Sequence, residues 1–385
     1  MRKVLLLGAS GNIGTQSLDI FEANKASFEL VGISVGKQTD KVEPILKRFP
    51  SIKGVYCIDK GFAEDLKKKH PSLNVFSGEN GLSELIRNSD ADMVENALVG
   101  FSGLVPSVTA LEENKILCLA NKESLVVAGD IINKLLDEGH GKMWPIDSEH
   151  VAIAKCFSKV NPEDVEKILL TGSGGAFRNL KLNELDDVTP EMALHHPTWN
   201  MGAKITIDSD TMMNKGFEVI EAHHLFRYDV DKVEVILHDE SHLHSALLLK
   251  DGTIVGDVSK PDMHGPIAYA LYEGKVPFEV YRVKKLEEFG PFHFHKFDPE
   301  RYPAVGLCIK ALKMGGTATA VINAANEVAI ALLLEGKIRF SDIVKVNEMT
   351  LDHFANIMNP SLTTLVRIDK EVRDYVRATF EKGVN

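Results

Sequence analysis

The stretch Val4-Leu5-Leu6-Leu7-Gly8-Ala9-Ser10-Gly11-Asn12-Ile13-Gly14 decides the fold of the first third of this chain. Four consecutive apolar residues read as a strand buried on both faces, and a helical pattern running to about Phe21 follows the glycines. Glycines between a strand and a helix permit a tight turn. They also let backbone N–H groups approach a pyrophosphate at the helix N-terminus. The spacing is G-x-x-G-x-x-G, looser than G-x-G-x-x-G, so an ordinary strand-to-helix turn stays open as the alternative.

Outward from that loop, Leu30 to Val35, Met93 to Val94 and Ile116 to Ala120 read as further strands. Leu104, Val108 and Leu111 recur at helical spacing around Pro106, which suits a first helical turn. Such alternation predicts a Rossmann-like α/β domain over residues 1–150, a parallel sheet covered on both faces. The second strand bears on the cofactor. A dinucleotide site for NAD places Asp or Glu near its end, on the ribose 2′-hydroxyl. Here it ends Ser34-Val35-Gly36-Lys37-Gln38, with no carboxylate and with a cation where a 2′-phosphate would lie. NADPH is therefore expected, a solvated loop lysine being the alternative.

The middle of the chain changes character. Val233, Val235 and Leu237 alternate as in a half-buried strand, and Asp251-Gly252 joins Ala246–Lys250 to Thr253–Val258 as a hairpin. An α+β domain with an open sheet is expected over 151–289, a polar linker over 290–303, and a helical domain over 304–385. Closely spaced Ala318, Ala320, Ala324 and Ala325 point to tightly packed helices there.

Composition narrows the function. The 385 residues carry 44% hydrophobic and 26% charged side chains, a globular balance spread over two or three domains. A net charge of -11 argues against a nucleic-acid partner, which needs clustered Lys and Arg. No apolar run approaches the ~20 residues that span a bilayer. Met1-Arg2-Lys3 imitates the start of a signal peptide, but the apolar run after it is too short and leads into the glycine loop. Four scattered cysteines fit a reducing, cytoplasmic setting rather than a disulfide framework.

Trp144-Pro145-Ile146-Asp147-Ser148-Glu149-His150 supplies a carboxylate pair. In an extended segment Asp147 and Glu149 would share a face, and two close carboxylates call for a cation between them. Oxygen ligands favour Mg²⁺ or Mn²⁺ over zinc, and Glu218 offers a third carboxylate. Close histidine pairs are present, but no H-E-x-x-H, so zinc is not expected. Thr171-Gly172-Ser173-Gly174-Gly175 after the strand Ile168–Leu170, and Asp208-Ser209-Asp210-Thr211 ahead of Asn214-Lys215, are candidate phosphate loops. Helix capping by Ser209 or Asp210 is the plainer reading of the second. His196-Pro197-Thr198-Trp199 reads as a lid, or as a loop anchored to the core by its Trp.

Taken in order, the glycine run, Leu119–Leu125, Pro145–His150, Thr171–Arg178, His196–Trp199, Asp208–Glu218 and Asn323–Glu327 resemble the 1-deoxy-D-xylulose 5-phosphate reductoisomerase family over essentially the whole chain. The resemblance implies a homodimeric, soluble enzyme of isoprenoid precursor synthesis. It would use NADPH with Mn²⁺, Mg²⁺ or Co²⁺ to rearrange and reduce a ketose phosphate. The runner-up is another two-domain NADP-dependent semialdehyde or sugar dehydrogenase. The resemblance further implies metal ligation by Asp147, Glu149 and Glu218, with Lys122 beside the reacting carbons. Substrate contacts would come from Lys122, Ser148, Glu149, Ser173, His196, Trp199, Ser209, Asn214, Lys215 and Glu218. Cofactor contacts would come from Gly8, Ser10, Gly11, Asn12, Ile13, Gly36, Lys37, Gln38, Asn121, Glu123 and Gly202. Met201 would join the lid, and His244 with Met263 would flank the site. Gln38, Ala176 (for Pro), Asp210 (for Ala) and Asp239-Glu240 depart from the commoner family pattern.

Overall fold

A computed structural model describes residues 1–195, 201–277 and 285–384. They form two compact units, the first comprising Met1–Ser124, Asp130–Asp147 and Met263–Tyr281, the second the remainder.

The first unit is built on seven parallel strands: β1 (Arg2–Leu7), β2 (Phe28–Val35), β3 (Gly54–Cys57), β4 (Asn74–Phe76), β5 (Met93–Asn96), β6 (Ile116–Leu119) and β7 (Lys142–Pro145). Their order is β4-β3-β2-β1-β5-β6-β7, so the winding reverses at β1. In such sheets ligands bind at the carboxyl ends of the strands flanking the reversal, and Gly8 stands at that end of β1. Helices α1 (Asn12–Ala23), α2 (Val42–Arg48), α3 (Lys60–Lys69), α4 (Gly81–Arg87) and α5 (Leu104–Glu112) supply the crossovers. Val4 to Leu7 are fully buried, as continuous apolar runs in parallel strands should be. Strands β3, β4 and β7 escaped the sequence reading because they are short and lack a sustained period. Helix α6 (Glu123–Asp137) departs from helical geometry at Ala128.

The second unit carries helix α7 (Ser148–Phe157) and the sheet β11-β10-β8-β9-β12. Its strands are β8 (Val165–Gly172), β9 (Val233–His238), β10 (Leu243–Leu249), β11 (Ile254–Val258) and β12 (Phe294–Lys296). The hairpin at Asp251-Gly252 joins β10 to β11 as expected, with Gly252 at φ +86°. The stretch 290–303 is not simply a linker: Phe294–Lys296 adds an edge strand antiparallel to β9. Its polar, Pro-flanked composition hid a strand whose pairing partner is remote in sequence. Helices α8 (Ala203–Asp210) and α9 (Met213–Phe226) follow β8 in the chain, while α10 (His264–Leu271) belongs to the first unit. The C-terminal helices are α11 (Pro303–Met314), α12 (Ala318–Leu334), α13 (Asp342–His353) and α14 (Leu362–Phe380). They share one core with α9, in which Phe217, Ile220, Ala325, Ala329, Val346 and Val372 are buried together.

Candidate active site

In the first unit, α1 starts at the glycine loop with Gly11 as N-cap, and no side chain caps it. The first-turn N–H groups of Asn12, Ile13 and Gly14 are thus presented as an anion cradle. The loop is shaped by close packing: a Cβ on Gly14 would lie 2.3 Å from the Gly8 carbonyl oxygen, and one on Gly8 would lie 2.6 Å from that of Ala97. Gly8 N–H donates to Ser34 Oγ at 2.8 Å, locking β1 to the end of β2. Gly36, Lys37 and Gln38 follow there, exposed. Lys41, missed in the sequence, reaches back to the Ser10 carbonyl at 2.9 Å and adds a second cation beside this loop. Its only linear signal was the four-residue spacing from Lys37. These groups fit an adenine dinucleotide bearing a 2′-phosphate.

Asn121 is an architectural residue: its amide donates to the Leu98 and Gly100 carbonyls at 2.9 Å each and to Glu123. Directly after it, Lys122 places Nζ 2.6 Å from Asp147 Oδ2. One carboxyl in this unit went unnoticed in the sequence. Glu95 on β5 is fully buried beneath α1, receives a hydrogen bond from Ser17, and is pushed up to about 8 by burial.

In the second unit the sequence-remote carboxylates Glu149 and Glu218 converge on one ammonium. Lys215 pairs closely with Glu218 and lies 3.9 Å from Glu149 Oε1, while also donating to the Thr171 carbonyl. Glu149 sits in the first turn of α7, not in the extended segment expected, because the helix begins at Ser148. Ser148 Oγ donates to Glu149 Oε2 at 2.5 Å, and His244 Nδ1 stands 3.8 Å from its other oxygen. Asn214 donates to Glu218 Oε1 at 2.5 Å, an i,i+4 contact on α9. The buried His150 ring bonds the Glu218 carbonyl at 2.9 Å, stapling α7 to α9. Asp147 closes the first unit one residue before Ser148 opens the second, and covalent geometry keeps its Cα within about 7 Å of that of Glu149. Within the second unit, Glu149 and Glu218 offer oxygen ligands of the kind a hard divalent cation takes.

The two candidate phosphate loops meet. Ala176 N–H, at the end of the Ser173-Gly174-Gly175 turn, donates to Asp210 Oδ1 at 2.7 Å, so two departures from the family pattern contact each other. Ser209 lies next to that bond, and a Cβ on Gly172 would lie 2.8 Å from Lys215 Cε. Arg178, which ends the Thr171–Arg178 stretch, and Tyr302, which carried no signal in the sequence, hold the Ser173 and Gly174 carbonyls at 3.0 and 2.9 Å. Met201 and Gly202 precede α8 in the second unit, with Gly202 as its N-cap, and Met263 belongs to the first unit. His196 and Trp199 lie outside the described residues.

Comparison with known proteins accounts for this arrangement. Family models described as 1-deoxy-D-xylulose 5-phosphate reductoisomerase match residues 4–129, its C-terminal domain residues 143–226, and a second DXP reductoisomerase C-terminal domain residues 258–375. The 1-deoxy-D-xylulose 5-phosphate reductoisomerase of Listeria welshimeri is 41% identical over 98% of this chain and 99% of its own length. That of Geobacillus sp. (strain WCH70) is 42% identical over 98% of this chain and all of its own. Among solved structures, the Zymomonas mobilis reductoisomerase in complex with NADPH superposes with a TM-score of 0.90 at 37% identity, covering 99% of both chains. A DOX-P reductoisomerase in complex with NADPH, fosmidomycin and magnesium gives 0.92 at 29%, covering 99% of this chain and 98% of that one. With glycine loop, acidic cluster and serine-rich loops all carried on one such fold, this chain belongs to the 1-deoxy-D-xylulose 5-phosphate reductoisomerase family.

Proposed function

We propose that this chain converts 1-deoxy-D-xylulose 5-phosphate to 2-C-methyl-D-erythritol 4-phosphate, rearranging the ketose carbon skeleton to a branched aldehyde and reducing that aldehyde with NADPH. The observation that carries the site assignment is the start of α9. Asn214 and Lys215, phosphate-loop residues by sequence, are bonded there to Glu218, a metal ligand by sequence. One helical turn thus holds the substrate's phosphate end and its reacting end at a fixed separation.

Asp147, Glu149 and Glu218 would hold the divalent cation. When bound, it supplies Lewis-acid polarisation of the ketone and neighbouring hydroxyl oxygens. Lys122, held by Asp147, would hold and return a proton at the reacting hydroxyl, and Ser148 would orient the substrate beside Glu149. Ser173, Ser209, Asn214 and Lys215 would bind the phosphate, whose binding energy is available for orientation at the distant carbons. His196, Trp199 and Met201 would exclude water from the aldehyde. Gly8 to Ile13 would receive the pyrophosphate and Lys37 the 2′-phosphate. The magnesium-bound relative supports the metal, and NADPH-bound relatives support the cofactor.

A homodimer is part of this proposal. The sheet of the second unit exposes Ile254 and Phe294 on its two edge strands, an arrangement that favours strand pairing or cover by another chain. No helix of the described residues is long and apolar enough to cross a membrane, and the four cysteines are buried free thiols, which suits a cytoplasmic setting.

The test is NADPH oxidation driven by the ketose phosphate, with product identified by NMR, with and without EDTA, alongside Asp147→Asn. Metal-restorable loss in EDTA and loss in the variant are expected. Full turnover in EDTA would instead favour a metal-free sugar or semialdehyde dehydrogenase.

A further inference from the structure

The turn Ser173-Gly174-Gly175-Ala176 contains two successive glycines at positive φ, +80° and +74°. Paired glycines are the least restrained backbone a chain has, so some contact must select this one shape. Three contacts do. Tyr302 Oη donates to the Gly174 carbonyl at 2.9 Å, Gly175 N–H donates to Ser173 Oγ at 3.2 Å, and Ala176 N–H donates to Asp210 Oδ1 at 2.7 Å. The last is the shortest, and its acceptor is a carboxyl, the strongest class of acceptor in the set. The turn also rests directly on the end of α8. A Cβ on Gly175 would lie 2.5 Å from Asp210 Cα and 3.0 Å from the Ser209 carbonyl oxygen.

Asp210 itself is badly placed for stability. It is 4% exposed, and its second oxygen, Oδ2, has no hydrogen-bond partner among the described residues. A buried acid with one oxygen unmatched is unfavourable in isolation. Burial pushes its carboxyl up to about 7, against the opposing pull of the Ala176 N–H. The group is thereby partly neutral near pH 7, which softens its repulsion of an incoming phosphate.

We propose that Asp210, by accepting the Ala176 N–H, holds the Gly174-Gly175 turn in the shape that receives the substrate's phosphate. It is a positioning residue for phosphate affinity, acting through the loop and not on the reacting carbons. This rests on the assignment of Ser173 and Ser209 to the phosphate site made above.

The experiment removes the acceptor. Asp210→Ala is expected to raise KM for the ketose phosphate about tenfold and to weaken inhibition by inorganic phosphate about as much, the worth of one hydrogen bond to a partly ionised carboxyl. Values of kcat, KM for NADPH, and kcat/KM for the dephosphorylated ketose should stay within about twofold of the parent. Asp210→Asn keeps an acceptor oxygen and should restore phosphate affinity. In Ala176→Pro, which restores the commoner family residue, there is no N–H for Asp210 to hold and the ring itself fixes φ. Adding Asp210→Ala on that background should therefore change phosphate affinity by less than about twofold. A full loss on the proline background, an unchanged phosphate inhibition constant in Asp210→Ala, or a fall in kcat with KM constant would each overturn the proposal. If Asp210→Ala does not fold, the double variant, which leaves no orphaned acid, compared with Ala176→Pro decides the same question. Ser173→Ala and Ser209→Ala test the phosphate site itself. If they weaken phosphate and Asp210→Ala does not, the latch alone fails; if they do nothing, the site assignment fails.

Discussion

Lys122 Nζ and Asp147 Oδ2 lie 2.6 Å apart, with side chains only 8% and 9% exposed. A buried pair of this kind is destabilised when one partner is removed, because the other charge is left uncompensated. The ammonium also competes with any cation for the same carboxylate.

Two effects of opposite sign follow for Lys122→Met. On the role proposed for Lys122, its loss lowers kcat by about 10²-fold or more. Loss of the competing charge leaves Mn²⁺ binding as tight as in the parent or tighter. Steady-state kinetics and a Mn²⁺ titration followed by electron paramagnetic resonance separate the two. Weaker Mn²⁺ binding in the variant would remove Asp147 from the ligand set.

Cofactor choice is expected to follow charge at the end of β2. Lys37→Ala should cut the NADPH-over-NADH preference about tenfold or more, the scale of a charge-assisted hydrogen bond. Because Lys41 holds the Ser10 carbonyl, Lys41→Ala should weaken both cofactors through the loop. An unchanged preference in Lys37→Ala would exclude it from the 2′-phosphate site.

Glu95 makes stability depend on pH. Unfolded, it ionises near its ordinary 4.5; folded, burial holds the proton to about 8. Between those values the folded chain binds more protons, so this group's contribution falls as pH rises, by roughly 1.4 kcal/mol per unit. Glu95→Gln should flatten that slope and melt above the parent at the alkaline end. Parallel melting curves across the window would show that Glu95 ionises normally.

The glycine loop leaves no room for a methyl group at its third glycine. In Gly14→Ala the new Cβ meets the Gly8 carbonyl oxygen at 2.3 Å and the Ala9 Cα at 2.7 Å, both backbone atoms. NADPH affinity should fall at least tenfold in a fluorescence titration, on the scale of ~1.4 kcal/mol or more of strain. Parent-like affinity would mean that the loop does not shape the site.

What the sequence determined by itself was whatever is encoded within one short window. The buried run Val4–Leu7 and the glycines after it specify a strand buried in a parallel sheet and a tight turn into a helix, because strand period and glycine conformation are local properties. The same holds for the Asp251-Gly252 hairpin and the alanine-rich helix α12. Tertiary structure alone decided which distant groups meet. Helix α7 starts early enough to take Glu149 out of an extended segment, and Lys215 gathers it with Glu218. The edge strand at Phe294–Lys296 and the return of α10 to the first unit are likewise absent from any window. So is the Ala176–Asp210 bond, between residues 34 apart. Such pairings depend on the loop closures the packed core stabilises, and burial, which sets the behaviour of Glu95 and Asp210, exists only once that core has formed.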